Sequence, residues 1–142
     1  MGFITLRSCT RNIKKVQDPS SQIGAVIVGP GQEIRSTGFN GFPRKINELD
    51  ESRWERPNKY FYIMHGERNA IINAARNGVS CLGCKIYVTG FPCHECAKEI
   101  IQSGIIEVIY IGRDSGFEER WQQSIKYSKI MLIEAGVIIR KL

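Results

Sequence analysis

The chain predicts an α/β fold, a three-layer α/β/α arrangement on a five-stranded mixed sheet. Three observations carry that expectation. Short β-rich runs alternate with longer stretches whose apolar residues recur at helical spacing. Glycines and prolines fall between those runs. The chain's 142 residues are the length of one domain, enough to bury roughly two-thirds of the unfolded surface, so residues 1–142 are read as a single domain.

Spaced apolar residues Phe3, Leu6, Cys9 and Ile13 predict a first helix over residues 3–16, stopped before Pro19. Residues 22–28 are β-rich, and Gly29-Pro30-Gly31 turns them into a second strand around residues 33–38. Pro30 presets φ at the first central position of that turn, and Gly31 takes the positive φ of the second. Asn40-Gly41-Phe42-Pro43 ends the strand as another turn. The polar stretch over residues 44–59 reads as a long loop anchored by Trp54. Residues 65–77 predict a helix with Gly78 beyond its end, and residues 85–89 a strand. Residues 93–103 follow as a helix opened by Pro92 and closed by Gly104. Residues 107–111 read as a strand, and 118–134 as one helix with Trp121, Ile125 and Leu132 on its buried stripe. Residues 137–140 form the last strand. Strands that alternate with helices predict a largely parallel sheet, with the first hairpin as its antiparallel edge.

Hydrophobic residues at 42% and charged ones at 24% are globular values and exclude disorder as the main state. The longest apolar stretches, residues 105–111 and 130–133, fall far short of the roughly 20 residues of a membrane helix. No basic segment followed by an apolar run opens the chain, so no signal peptide is expected. Gly2 lacks the Ser or Thr that myristoylation wants where Leu6 stands. A cytoplasmic protein without membrane attachment is the expectation.

Lys and Arg number 20 against 14 Asp and Glu, a net charge of +6, and the pI is about 9.2. Such a balance favours anionic ligands. The positive residues are scattered, however, with Arg11, Lys14 and Lys15 near the start and Arg140 and Lys141 at the end. Charge alone therefore reads as a solvated surface rather than a nucleic-acid footprint. The five cysteines are Cys9, Cys81, Cys84, Cys93 and Cys96. An odd count without an export signal points to metal or free thiols, not to a disulfide framework.

Two motifs carry the chemistry, His65-Gly66-Glu67 and Pro92-Cys93-His94-Glu95-Cys96. On a helix, Cys93, Cys96, Ala97 and Ile100 fall at i, i+3, i+4 and i+7, so both thiols face inward at a helix start. The macrodipole and unpaired N–H groups favour thiolates there. A Cys-x-x-Cys in that place serves as a metal site or a redox pair; Pro92 before it and a His-x-Glu 28 residues upstream weigh against the redox reading. Glu67, Ala70, Ile71 and Ala74 repeat the spacing, so a carboxylate heads an otherwise apolar stripe. Carboxylates are almost never fully buried without a partner. Alone, Glu67 reads as a first-turn acid that complements the helix dipole. With His65 two residues before it and a thiol pair on the next helix, it reads as the acid of a metal site. His65, Cys93 and Cys96 make three zinc ligands and leave the fourth position for water, as catalytic zinc requires.

Three ligands do not name a reaction, but the order of the motifs resembles the signature of the zinc nucleobase deaminases. The chain is similar to the cytidine deaminase superfamily and, within it, to the deoxycytidylate (dCMP) deaminases, from about Phe3 to the last strand. The similarity is carried by Asp18-Pro19-Ser20-Ser21-Gln22-Ile23-Gly24-Ala25, Ser36-Thr37-Gly38-Phe39-Asn40-Gly41-Phe42-Pro43, His65-Gly66-Glu67-Arg68-Asn69-Ala70-Ile71 and Phe91-Pro92-Cys93-His94-Glu95-Cys96-Ala97-Lys98. Ile100-Ile101-Gln102-Ser103-Gly104-Ile105 continues it.

The resemblance implies a cytidine deaminase-like fold and hydrolytic deamination of dCMP to dUMP and ammonia, with the dUMP supplied to thymidylate synthesis. It implies one catalytic Zn2+ on His65, Cys93 and Cys96. Glu67 is then the proton shuttle between the zinc-held water, the ring nitrogen beside the amine and the departing ammonia. It further implies Asn40 at the sugar and the backbone of Gly66 at the pyrimidine carbonyl. Homo-oligomers, dimers or hexamers, are implied as well, with dCTP activating, dTTP inhibiting and Mg2+ accompanying such a triphosphate.

Two departures stand out. Gly66 replaces the family's usual Ala, at a cost of roughly 1 kcal/mol in a helix interior and less near its start. The segment Gly112-Arg113-Asp114-Ser115-Gly116-Phe117 lacks the Tyr that often lies over the nucleotide, and leaves Arg113 as the candidate for the 5′-phosphate.

Rival substrates are dCTP, deoxycytidine and a tRNA adenosine, although no basic-aromatic stripe of the kind that tracks single strands is visible. A zinc module without catalysis is the rival of another class. Cys81 and Cys84 precede Cys93 by too short a gap for a four-cysteine site and belong at the other end of a strand, so buried structural thiols are expected there. A second structural zinc involving Cys9 is the lesser alternative. His94 lies off the ligand stripe and reads as supporting or surface. Arg68, Asn69 and Arg76 read as a solvated helix face, with a subunit or effector contact as the alternative.

Overall fold

A computed structural model describes residues 23–113 and 115–142. The helix expected over residues 3–16, Cys9 and Asp114 lie outside the described residues. Strands β1 (Gly24–Val28) and β2 (Ile34–Phe39) form the expected hairpin. A short 3-10 turn (Glu51–Arg53) and a single helical turn, α1 (Lys59–Tyr62), lead to helix α2 (Gly66–Arg76). Then come β3 (Lys85–Val88), α3 (His94–Gln102), β4 (Glu107–Tyr110), α4 (Ser115–Arg120), α5 (Gln122–Glu134) and β5 (Ile138–Lys141).

The five strands form one mixed sheet in the order β2-β1-β3-β4-β5. β3, β4 and β5 are parallel, joined by helical crossovers. β1 is antiparallel to both β2 and β3, so the sheet is less parallel than the alternation of elements predicts. The reason is topological. The crossover through α2 makes β2 and β3 parallel to each other, and β1 fills the gap between them. Burial agrees with that order. Every residue of β1 is buried, as a near-continuous apolar run requires in an interior strand, whereas β2 alternates and lies at the edge.

One face of the sheet carries the larger core, in which Ala70 and Ala74 of α2, Ala97 and Ile100 of α3 and Leu132 of α5 pack on Ala25, Ile27, Ile86 and Val108. Val26, Val28, Tyr87 and Ile109 are buried on the other face. Across the last three strands, buried Glu107 binds Lys85 at 3.0 Å and Arg140 at 3.1 Å. Among the described residues no helix is long and apolar enough to cross a membrane.

α2 lies unusually close to β2, and the sequence shows how. Gly38 faces the helix directly, and a Cβ there would run into Gly66 O and Ala70 N. Three polar side chains fasten the contact. Ser36 Oγ donates to Ala70 O at 2.6 Å, Asn69 Nδ2 to Phe39 O at 2.7 Å and Asn73 Nδ2 to Thr37 O at 2.9 Å. Asn69 is thus committed to packing the sheet, and Arg68 to Glu99 of α3 at 2.6 Å; neither belongs to a freely solvated face.

The polar segment after β2 is anchored as expected by Trp54, which stacks on Phe42 at 4.0 Å and donates to Glu48 O at 2.8 Å. Its 3-10 turn, capped by Asp50, and α1 are structure that the sequence reading leaves as loop. The helix expected over residues 118–134 begins earlier and is interrupted. α4 ends at Arg120, Trp121 adopts φ −104° and ψ 9°, and α5 starts at Gln122.

Candidate active site

The two motifs sit at the starts of neighbouring helices. His65 is the extended residue before α2, and Cys93 the extended residue before α3, where its sulfur accepts the Cys96 N–H at 3.5 Å. A paired bridge between Gly41 and Met64 ties the exit of β2 to the entry of α2. Asn40 beside that bridge is buried and accepts the Gly66 N–H through Oδ1 at 2.7 Å. An N–H left unpaired by helix geometry is thereby satisfied by a side chain from another element.

His65 Nδ1 lies 3.4 Å from Cys93 Sγ and 3.5 Å from Cys96 Sγ, and the three potential ligand atoms are all within 4.8 Å of one another. Glu67 is 3% exposed, with Oε2 3.8 Å from Cys96 Sγ. Hydrogen bonding from the Cys96 thiol, outweighing burial and helped by His65, pulls Cys93 down to about 4. Cys96 is pushed up by its bond to Cys93 and by burial, so the two thiols share one proton. Burial alone would lower His65, but the Cys93 hydrogen bond and the nearby charges of Glu67 and Cys93 raise it. Burial pushes Glu67 up to about 7, against the pull of His65. Two soft thiols, one already favoured as thiolate, and an imidazole converging on one point are a donor set that fits zinc.

A small cavity of about 40 Å³ opens on His65, Glu67 and Cys93, and its other walls are Ile23, Asn40, Phe91, Phe117, Trp121 and Ile125. It has room for water beside the ligand atoms. Asn40, His65 and Trp121 also line an adjoining pocket of about 290 Å³, whose remaining walls include Arg56, Lys59 and Arg120. Trp121 meets the His65 ring edge-on, with centroids 6.1 Å apart, and Phe117 lies 6.2 Å from Trp121.

The structure thus gathers His65, Glu67, Cys93, Cys96, Asn40 and Gly66 around one point. Arg113 is placed differently. Its guanidinium lies 5.2 Å from the Phe117 centroid and its stem packs near Gly90, and it lines neither cavity. Gly66 fits a tight place, where a Cβ would come 3.1 Å from Ile23 O and 3.3 Å from Phe39 Cα. Cys81 and Cys84 are buried before β3, at the end of that strand opposite Cys93, and burial raises both thiols.

Sequence reasoning misses Trp121 and Phe117 as walls of the site, and Arg56, Lys59 and Arg120 as its basic annex. Trp121 sits at helical spacing from Ile125 and so reads as core. The available signal is the pairing of Phe117 and Trp121 four residues apart beside Arg120.

A His–Cys–Cys cluster with a buried acid that is not part of it, set at two helix starts on a mixed five-stranded sheet, defines the cytidine deaminase-like class of metal-dependent hydrolase. The family model for the cytidine and deoxycytidylate deaminase zinc-binding region matches residues 5–112, and the chain belongs to that family. It is 44% identical to the deoxycytidylate deaminase of Mus musculus over 136 residues, which cover 90% of this chain and 71% of that one. It is 42% identical to an uncharacterized deaminase in the luxG 3′ region of Aliivibrio fischeri over 121 residues, covering 85% and 79%. The crystal structure of the dCMP deaminase of cyanophage S-TIM5 in complex with dCMP and dUMP shares the fold, with a TM-score of 0.78 at 21% identity over 99% of this chain and 96% of that one.

Proposed function

We propose that this protein hydrolyses dCMP to dUMP and ammonia with a zinc ion held by His65, Cys93 and Cys96. The observation that carries the nucleotide reading is that the two cavities share walls. Asn40, His65 and Trp121 line both, so a base beside Glu67 leads, past Asn40, to a pocket with three cationic side chains. Base, sugar and 5′-phosphate of one nucleotide match that sequence of environments. Arg56, Lys59 and Arg120, rather than Arg113, are assigned to the phosphate. The deoxycytidylate deaminases among the relatives and the dCMP-bound cyanophage enzyme support the same substrate.

When bound, zinc supplies an activated water nucleophile at neutral pH. Everything else falls to the chain. Glu67 takes a proton from the attacking water and delivers it to the ring nitrogen beside the amine, making the adjacent carbon a better electrophile. It then takes the second proton from the hydroxyl added at that carbon and gives it to the amine. One C–O bond forms and becomes the carbonyl, one C–N bond breaks, ammonia departs and the ring nitrogen keeps the first proton. Burial keeps the Glu67 carboxyl near neutrality, where it both accepts and gives protons. Trp121, Phe117 and Phe91 wall off bulk water, and Asn40, fixed by the Gly66 N–H, orients the sugar. The reading extends to a cytoplasmic homo-oligomer regulated by dCTP and dTTP, with Mg2+ accompanying the triphosphate, as the family resemblance implies.

The test is ammonia release from zinc-loaded protein offered dCMP, dCTP, deoxycytidine and a tRNA anticodon stem separately, each with and without dCTP or dTTP as effector. Turnover of dCMP above the others is the expected result. Turnover confined to RNA would keep the chemistry and discard the substrate, and silence throughout would leave a structural zinc module.

A further inference from the structure

Helix α3 carries Cys96 and is capped by Cys93, two of the proposed zinc ligands, and α5 starts where Trp121 meets His65. The two helices pack side by side, and a single hydroxyl joins their first turns. Ser124 Oγ accepts the backbone N–H of His94 at 3.0 Å and lies 2.8 Å from His94 Nδ1. His94 is the first residue of α3, so this N–H is one that helix geometry leaves without an internal partner. With a neutral imidazole, the hydroxyl proton goes to Nδ1, and Nε2–H points at Glu95 Oε1, 3.2 Å away. Accepting from the backbone and donating to the ring uses the hydroxyl fully.

Ser124 sits one turn beyond Trp121, and the Ile125 N–H closes that turn on Trp121 O at 2.8 Å. Arg120 directly precedes Trp121. Whatever fixes Ser124 against α3 therefore also fixes the indole over the zinc cavity and the guanidinium in the basic pocket. We propose that Ser124 is a positioning residue: through His94 it locks the first turn of α5 to the ligand-bearing helix and so holds Trp121 and Arg120 at the mouth of the cleft. The proposal rests on the reading of that cleft as a nucleotide site. Ser124 lines neither cavity and is not one of the three ligand residues, so its effect belongs in substrate capture rather than in the chemical step.

The test has two readouts. The protein has two tryptophans, Trp54 and Trp121, and Trp54 is stacked on Phe42 and lines neither cavity. In a Trp54→Phe background the fluorescence reports Trp121 alone. Ser124→Ala is expected to raise acrylamide quenching of Trp121 about twofold and KM for dCMP about fivefold to tenfold, the worth of a hydrogen bond or two, while kcat and zinc content stay within a factor of two. Ser124→Thr, which keeps the hydroxyl, restores both readouts. His94→Ala, which keeps the backbone bond, shifts them partway. Unchanged quenching overturns the proposal, as does a loss of kcat and zinc with KM unmoved, which would mark Ser124 as a helix cap and nothing more. If the zinc-loaded protein with both tryptophans does not turn over dCMP, the substrate reading fails and the quenching comparison alone decides the positioning role. If only the Trp54→Phe parent is inactive, KM is compared in the protein with both tryptophans.

Discussion

Replacing Glu67 by Gln separates what burial does to this carboxyl from what the carboxyl does in catalysis. Its pKa rises from 4.5 to about 7 because the folded protein removes it from water. Between those values the folded chain keeps a proton that the unfolded chain has released, so stability falls as pH rises through that window. At about 1.4 kcal/mol per unit the full penalty is about 3 kcal/mol above pH 7, shrinking to about 1 kcal/mol at pH 5. Gln carries no such penalty. In urea titrations of chelator-treated protein, Glu67→Gln is therefore expected to gain about 2 kcal/mol on the parent between pH 5 and pH 8. A difference flat across that range would refute the argument that burial holds a proton on Glu67. In the zinc-loaded protein the same variant is expected to retain metal and lose roughly a hundredfold to ten-thousandfold in kcat. Loss of zinc would make Glu67 a ligand and overturn the assignment of roles.

His65→Ala and Cys96→Ala are each expected to lose stoichiometric zinc by elemental analysis, and with it all turnover, because two remaining donors make a weak site. Arg120→Ala and Arg56→Ala are expected to raise KM for dCMP about tenfold or more, as loss of a charge-assisted hydrogen bond does. Steady-state turnover of deoxycytidine should barely change in either, and equal effects on nucleoside and nucleotide would remove these residues from the phosphate. Ser128 on α5 is fully buried, and its hydroxyl has no hydrogen-bond partner among the described residues. Ser128→Ala is accordingly expected to lie between neutral and about 1 kcal/mol more stable in urea titration, and a comparable loss of stability would show that the hydroxyl is satisfied.

The zinc cluster was legible because each half is a local motif. Cys93 and Cys96 lie one helical turn apart, His65 and Glu67 two residues apart, and both pairs stand at helix starts that Pro92 and the apolar spacing announce. The strands were legible for the same reason, since Gly29-Pro30-Gly31 and the unbroken apolar run of β1 act within a few residues. Strand order is a different kind of information. That β1, and not β2, lies beside β3 follows from the handedness and reach of the α2 crossover, which no single window of sequence contains. The basic pocket was illegible for a related reason. Arg56 comes from a loop, Lys59 from the start of α1 and Arg120 from the end of α4, and in sequence each alone reads as an ordinary charge.

Trp121 shows how a correct periodicity leaves a role unread. It shares one apolar stripe with Ile125 and Leu132, and Leu132 is fully buried in the core. The start of that stripe faces a cavity instead of packed side chains, so Trp121 meets His65 and Ile125, one turn later, walls the same cavity. Periodicity gives the face, and what the face meets is set by residues far away in the sequence. Gly38 makes the complementary point from the sheet side. A side chain there would hold α2, and Glu67 with it, away from β2. Burial is the largest cause of the raised Glu67 pKa, so the close packing of two backbones, on a strand that contributes no catalytic group, is part of what places the acid where proton transfer needs it.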